Sequence, residues 1–408
     1  MPSDTKRATG EPTRVIPLAE PDLGGNESKY VQECLDTNWV SSAGTYVDTF
    51  ERMVAKEVGV AHAVATVNGT AALHMALRVL GIEPDDEVLL PALTFIAPAN
   101  AVRYVGAWPV FIDVEPEFWQ LDVDKVATFL EEECRWHQGS LWNRTTGRRV
   151  RAIVPVHLLG HPCPMDVVME LADRYGLKVI ADATEALGAR CRSSAGGAWL
   201  AAAASGDVAC LSFNGNKIIT AGGGGMLVTS DERLAASARY LSTQAKDDPV
   251  EYIHGAVGYN YRLSNVQAAI GVAQFERLHE FVNIKRRIAR DYEEALRAVP
   301  GLTPMREAPW AFSTYWLYTV RVDTRQFGLD SRELLRELAR HGIQSRPVWQ
   351  PLHRSPPHAT AQAYAVEVAD DCYRVGLSLP CSVSLRSEDQ ARVIAAVCDA
   401  RQLRSGRG

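Results

Sequence analysis

The run Lys178-Val179-Ile180-Ala181-Asp182-Ala183-Thr184-Glu185 decides how the rest of the chain is read. It is a short continuous apolar stretch, closed by an aspartate and followed by small and polar residues. A continuous run suits a strand buried on both faces, whereas a half-exposed strand would alternate. The same texture recurs at Val88-Leu89-Leu90, Val110-Phe111-Ile112, Ala152-Ile153-Val154, Val208-Ala209-Cys210-Leu211 and Met226-Leu227-Val228. Helical patterns such as Ala71–Leu80 and Asp166–Tyr175 lie between these runs. From about residue 48 to 230 the chain therefore reads as an α/β unit with a mostly parallel sheet.

Beyond about residue 255 the texture changes. The spacing predicts one long helix over Asn265–Val299, open to a break. Strands are expected at Tyr315–Val322 and Ile343–Trp349, around a helix that starts near Asp330. Asp330 with Glu333 makes a capping box, and Gly342 a stop. The expected division is a polar tail over 1–14, a large domain over 15–255 and a smaller α+β domain over 256–408. The polar, arginine-rich stretch Trp136–Arg151 reads as an inserted hairpin or loop.

Bulk numbers narrow the function classes. The chain has 408 residues, 47% hydrophobic and 23% charged, as in a soluble globular protein of two domains. A net charge of -6 lacks the basic excess of a nucleic-acid binder, so no nucleic-acid partner is expected. A few local donors can still hold a phosphate. The eight cysteines, at 34, 134, 163, 191, 210, 372, 381 and 398, include no CxxC pair, so neither a disulfide framework nor a metal site is expected. The apolar runs are too short to cross a bilayer, and residues 1–14 lack the apolar stretch of a signal peptide. A cytoplasmic protein without a membrane partner is the expectation.

Four local features carry chemistry, and their order matters more than any one alone. In Val67-Asn68-Gly69-Thr70-Ala71-Ala72-Leu73 a turn of small residues leads into an apolar helix. Free N–H groups and the positive helix end then face one spot, a ready anion site. Taken alone, an ordinary capped helix is the commoner explanation. Asp182 closes a buried strand, where open α/β sheets hold their ligands, although an aspartate there can equally cap the next helix. In Ser212-Phe213-Asn214-Gly215-Asn216-Lys217 a turn presents a lysine, followed by Ile218-Ile219-Thr220 and the four glycines Gly222–Gly225. Those glycines permit close backbone approach, and they precede a strand instead of opening a helix, so they are no dinucleotide fingerprint. A lone loop lysine is ordinarily solvated. Lys217 follows the strand-end aspartate by 35 residues, in a glycine-lined setting, which points to chemistry. A desolvated lysine can act as nucleophile and base. The fourth feature, Gly258-Tyr259-Asn260-Tyr261-Arg262-Leu263-Ser264-Asn265, is on its own only a polar turn before a helix.

In order, NGTAAL, TFIAPANAV, PVHLLGHP, DATEALGA, SFNGNKIITAGGGG, GYNYRLSNVQAAIG and SRPVWQPLH make the chain resemble the DegT/DnrJ/EryC1/StrS aminotransferases. The resemblance runs from about residue 15 to 400. It implies a fold-type I, aspartate aminotransferase-like architecture and the cofactor pyridoxal 5'-phosphate (PLP). It also implies a nucleotide-linked keto-sugar as substrate and glutamate as amino donor. DATEALGA, TQAKDDPVEYIH and NRTTGRR are most similar to the branch serving legionaminic-acid-type and related 4-amino-4,6-dideoxysugar pathways.

By the same resemblance, Lys217 holds PLP as a Schiff base and shuttles protons, and Asp182 pairs with the pyridine nitrogen to keep the ring an electron sink. Phe95 stacks on the ring, where other members have Trp or Tyr. Gly69, Thr70 and Ser212 hold the phosphate, and Asn260 reaches it from a neighbouring subunit, which implies a homodimer. Glu185 departs from the pattern. Many members have Gln there, bonded to the phenolic oxygen of PLP. A carboxylate would repel a phenolate, so Glu185 must be protonated, turned away or bonded elsewhere.

Other residues read more blandly. His157 follows a buried strand, and a structural role is expected because Lys217 already supplies a base. Arg144, Arg148, Arg149 and Arg151 could grip a diphosphate, but a solvated basic hairpin is the simpler reading. His254 and Arg346 lie in family-like segments near the expected cleft. No HExxH, GxSxG or Walker loop is present. The expected reaction is amination of a nucleotide-linked 4-keto-6-deoxysugar. One alternative is a sugar dehydratase, whose relatives carry His in place of the lysine. Another is an aminotransferase for a cyclitol or other small ketone in antibiotic assembly. A third, a non-catalytic regulator on the same fold, is disfavoured by retention of Lys217, Asp182 and Ser212.

Overall fold

Lys178–Asp182 forms a strand buried along all but its first residue, as its apolar run predicts. The computed structural model describes residues 14–193, 196–248 and 250–405, so the expected polar tail, apart from Arg14, lies outside the described residues. The strand sits inside a ten-stranded sheet. Its main path runs His62–Thr66, Gly225–Thr229, Val208–Ser212, Lys178–Asp182, Arg149–Ile153, Glu87–Pro91, Trp108–Ile112, Gln362–Tyr364. From Val208–Ser212 to Gln362–Tyr364 all neighbours are parallel. Gly225–Thr229 is antiparallel to both its neighbours, so the sheet is mixed at that edge. The reason is the connection: no helix lies between Ser212 and Gly225, and a parallel return needs a long crossover.

Helix Gly69–Val79 packs chiefly on Gly225–Thr229 and Val208–Ser212, and Met165–Tyr175 packs on Lys178–Asp182. The first begins earlier than its apolar pattern because Asn68 caps it, accepting the Ala71 N–H at 2.8 Å. The expected insertion is a hairpin, Cys134–His137 with Ser140–Asn143, which extends the sheet antiparallel to Arg149–Ile153.

The later part carries a four-stranded antiparallel sheet in the order Leu302–Pro304, Tyr318–Val322, Gly376–Leu379, Arg346–Pro347. Helix Ser331–Arg340 starts at the Asp330–Glu333 capping box. One expectation needs correction here. The strand expected over Ile343–Trp349 shrinks to Arg346–Pro347, because Pro347 has no N–H to carry the ladder onward. The long helix takes the break left open for it: it is two, Asn265–Phe275 and Leu278–Leu296, and the first packs against helices Glu27–Asp36 and Thr45–Val58.

Segments beyond residue 256 also complete the large sheet. Gln362–Tyr364 forms its edge strand, and Asp113 then clips the next helix. Its buried carboxylate accepts the N–H groups of Val368 and Ala369 at 2.9 and 2.8 Å and pairs with Lys125 at 2.6 Å. Among the described residues no helix is long and apolar enough to cross a membrane.

Candidate active site

The carboxyl ends of Lys178–Asp182 and Val208–Ser212 meet the start of helix Gly69–Val79 at a cavity of ≈ 380 Å³. Glycine is required on both sides of that junction. A Cβ on Gly69 would stand 2.9 Å from Ser212 Cβ, and one on Gly225 would stand 2.4 Å from the Asn68 carbonyl carbon. Gly69, Thr70 and Ser212 therefore share one wall. Asn68 takes the Ala71 N–H, and the amides of Gly69 and Thr70, which helix geometry leaves without a partner inside the helix, stand at its positive end on this wall. Such a wall can take an anion.

Lys217 lies across from that wall. Its turn is held by backbone bonds: Lys217 N–H donates to the Asn214 carbonyl at 3.0 Å, and Phe213 N–H to Gly224 at 2.9 Å. The side chain is 15% exposed, with Nζ 3.8 Å from Glu185 Oε1. On another side, Nζ is 4.1 Å from the centre of the Trp316 ring. Glu185 Oε2 accepts the Leu159 N–H at 2.8 Å. Leu159 itself has a φ of 59°, a left-handed conformation that leucine rarely adopts and that its surroundings must enforce. Asp182 is 2% exposed, and its Oδ1 accepts the Thr184 N–H at 3.1 Å. Among the described residues no cation lies within ion-pairing distance of it.

Burial dominates the electrostatics of all three groups. It lowers the proton affinity of Lys217 against the opposing pull of Glu185 and Asp182. It lifts Glu185 to about 7, although Lys217 and the Leu159 N–H work the other way. It also lifts Asp182, against its bonds to Thr184. An amine with lowered proton affinity is a usable nucleophile and base, and a carboxylate so buried is best satisfied by a cationic N–H.

Of the residues expected at the site, Gly69, Thr70, Phe95, Glu185, Ser212 and Lys217 line this one cavity, and Asp182 closes the strand that leads to it. Phe95 stands at the mouth, 54% exposed. Asn260 is not brought in. It is exposed and bridged through its backbone to Thr243, outside the cavity of its own chain. His157 is fully buried, accepts the Cys163 N–H at Nδ1 and faces the Ala202 carbonyl with Nε2; burial lowers it to about 4, a neutral structural histidine. Arg149 is paired with Asp86 and Glu83, and Arg148 stacks on Trp108, so these arginines hold the hairpin. His254 and Arg346 are exposed, and among the described residues their side chains bond to the Gln244 and Ser345 carbonyls. Trp316 lies outside every motif singled out in the sequence, whereas Thr184, Asn214, Asn216 and Trp349 lie within such motifs but were given no role.

The sequence matches the DegT/DnrJ/EryC1/StrS aminotransferase family over residues 21–398. It is 42% identical over 385 residues to a GDP-perosamine synthase of Caulobacter vibrioides, covering 94% of this chain and 97% of that one. A GDP-perosamine synthase of Escherichia coli O157:H7 is 38% identical over 376 residues, covering 92% and 95%. Among solved structures, DesI, determined in the presence of its TDP-sugar product, is 28% identical with a TM-score of 0.83, covering 97% and 96%. The chain belongs to the DegT/DnrJ/EryC1/StrS family, has its fold and is an aminotransferase. These relatives do not single out the legionaminic-acid-type branch expected from DATEALGA and its companion segments.

Proposed function

We propose that the chain, as a member of this family, transfers an amino group from glutamate to C4 of a nucleotide-linked 4-keto-6-deoxyhexose, using PLP and acting as a homodimer. The observation that carries this reading is the single cavity joining Lys217 to the helix start at Gly69–Thr70, with Asp182 at the adjoining strand end. These groups fit PLP: a buried carboxylate for a cationic ring nitrogen, a shielded amine for the aldehyde, and donors with a helix end for the phosphate. When bound, PLP supplies the electron sink for the carbon that gains or loses the amino group.

The remaining tasks fall to the chain. Lys217 Nζ takes and returns the proton at the substrate carbon, and its lowered proton affinity favours the uncharged amine that can take it. Asp182 would keep the proton on the ring nitrogen. Glu185, lifted to about 7, would offer a protonated carboxyl to the phenolic oxygen. Phe95 would cover the ring face, Ser212, Gly69 and Thr70 would hold the phosphate, and Asn260 would reach it from the second subunit.

The relatives named GDP-perosamine synthase support a GDP-linked substrate. Perosamine is a 4-amino-4,6-dideoxyhexose, so the same names support C4 as the aminated carbon and favour this product type over the legionaminic-acid type. The test is to incubate the purified PLP-loaded enzyme with glutamate and a GDP-linked 4-keto-6-deoxyhexose. An amino sugar should form. No amine from GDP-, UDP- or dTDP-linked 4-keto-6-deoxyhexoses would overturn the proposal.

A further inference from the structure

Lys285 is a second lysine withdrawn from water, 4% exposed on helix Leu278–Leu296, and the reaction above gives it no task. A buried ammonium is costly unless its donors are used. Lys285 Nζ donates to the Trp316 carbonyl at 2.8 Å and lies 3.8 Å from Cys381 Sγ. Cys381 donates to the same carbonyl at 3.4 Å. The other end of Trp316 faces the cavity. Its indole N–H donates to the Asn216 carbonyl at 2.6 Å, one residue before Lys217. Its ring centre is 4.1 Å from Lys217 Nζ. Trp349 stacks on it at 6.2 Å with 11° between the planes. The indole is thus fixed at its backbone, at its nitrogen and by a second ring.

We propose that Trp316 is a positioning residue for Lys217, its ring face holding the ammonium in the cavity, and that Lys285 fixes Trp316 by tethering its carbonyl. The proposal rests on reading Lys217 as the cofactor lysine. A cation within about 6 Å of an aromatic ring is drawn to its face, more strongly where water is excluded. The charged groups that face Lys217 are Glu185 and, farther off, Asp182. Glu185 attracts Nζ from one side only, and a four-carbon stem is flexible. The indole supplies a second contact, its ring centre 4.1 Å from Nζ, so acid and ring together restrict where Nζ sits. Lys285 Nζ meets a carbonyl and a thiol, and among the described residues no carboxylate pairs with it, which makes it a tether more than half of an ion pair.

The experiment uses the apoenzyme and the variants Trp316→Leu, Trp316→Phe and Lys285→Met. The rate at which an acylating reagent labels Lys217 is followed against pH by peptide mass spectrometry, and PLP affinity is titrated by fluorescence. The ring favours the charged amine, so Trp316→Leu should lower the Lys217 titration by about half a unit to one unit. PLP affinity should fall several-fold with it. Trp316→Phe keeps a ring face and should shift less, and Lys285→Met should shift in the same direction as Trp316→Leu. An unchanged Lys217 titration in a folded Trp316→Leu protein overturns the positioning role. If that variant does not fold, unchanged titration in both Trp316→Phe and Lys285→Met overturns it. A Lys285→Met protein with a lower melting temperature but wild-type Lys217 titration overturns the tether. Because the labelling needs no cofactor, its failure is separable from failure of the functional proposal.

Discussion

Glu185 Oε1 stands 3.8 Å from Lys217 Nζ, while Leu159 N–H fixes the other carboxyl oxygen at 2.8 Å. Burial raises the acid, to about 7, and lowers the proton affinity of the base, so near neutrality Glu185 is in part protonated. A carboxyl group held this way can meet a phenolate without repelling it, because it can be neutral. Of the options open to Glu185 from the sequence, protonated, turned away or bonded elsewhere, its raised proton affinity supports the first.

Glu185→Gln should therefore keep kcat within about tenfold of wild type, since the amide is neutral, isosteric and still able to accept from Leu159. Steady-state kinetics check this. A thousand-fold loss, about 4 kcal/mol of transition-state stabilisation, would mean that the carboxyl group itself reacts.

The same variant should change the pH dependence of stability in the apoprotein. The folded value of about 7 lies above the ordinary 4.5, so the native state binds this proton more tightly than the unfolded chain does. The stability linked to it is full below 4.5 and is lost as pH rises through about 7. Glu185→Gln avoids that loss and should gain on wild type between pH 5 and 8 by at most about 3 kcal/mol, less whatever Lys217 returns by attraction. Urea unfolding across that range measures it. A difference that stays flat with pH contradicts the raised acid.

Lys217→Ala should leave a protein that does not retain a visible absorption band after PLP is added and the excess removed. It should also show no glutamate-dependent turnover. Wild type should hold such a band and lose it on addition of glutamate. A Lys217→Ala enzyme that still aminates substrate at the wild-type rate contradicts the assignment.

The strands were legible because a parallel sheet buries both faces, and runs such as Val179-Ile180-Ala181 carry that signature without context. Asn68-Gly69-Thr70 and Lys217 were legible for a local reason too, since a cap, a turn and glycines set them. Trp316 was not. It meets the Lys217 turn across 100 residues of sequence, and stacking between distant rings leaves no periodicity. Leu159 was equally silent, because nothing about leucine announces a left-handed backbone. Antiparallel placement of Gly225–Thr229 depends on the missing helix before it, a property of the connection and not of the strand.

Asn260 should complete the site of the other subunit. A Lys217→Ala subunit mixed with an Asn260→Ala subunit should restore one working site per heterodimer. If Asn260→Ala homodimers are inactive and verified heterodimers gain nothing, the shared site is wrong.

The central claim is that a nucleotide-linked keto-sugar is the acceptor. A deoxyhexose offers few apolar handles, so binding energy from the nucleotide and its phosphates must orient the keto carbon toward Lys217. The direct measurement is kcat/KM, side by side, for GDP-, UDP- and dTDP-linked 4-keto-6-deoxyhexoses, the free keto-sugar and a cyclitol ketone, all with glutamate as donor. The GDP-linked sugar should be the best substrate, and the free ketone should lose most of its kcat/KM. A free or carbocyclic ketone turned over as efficiently as the best nucleotide sugar would contradict the account.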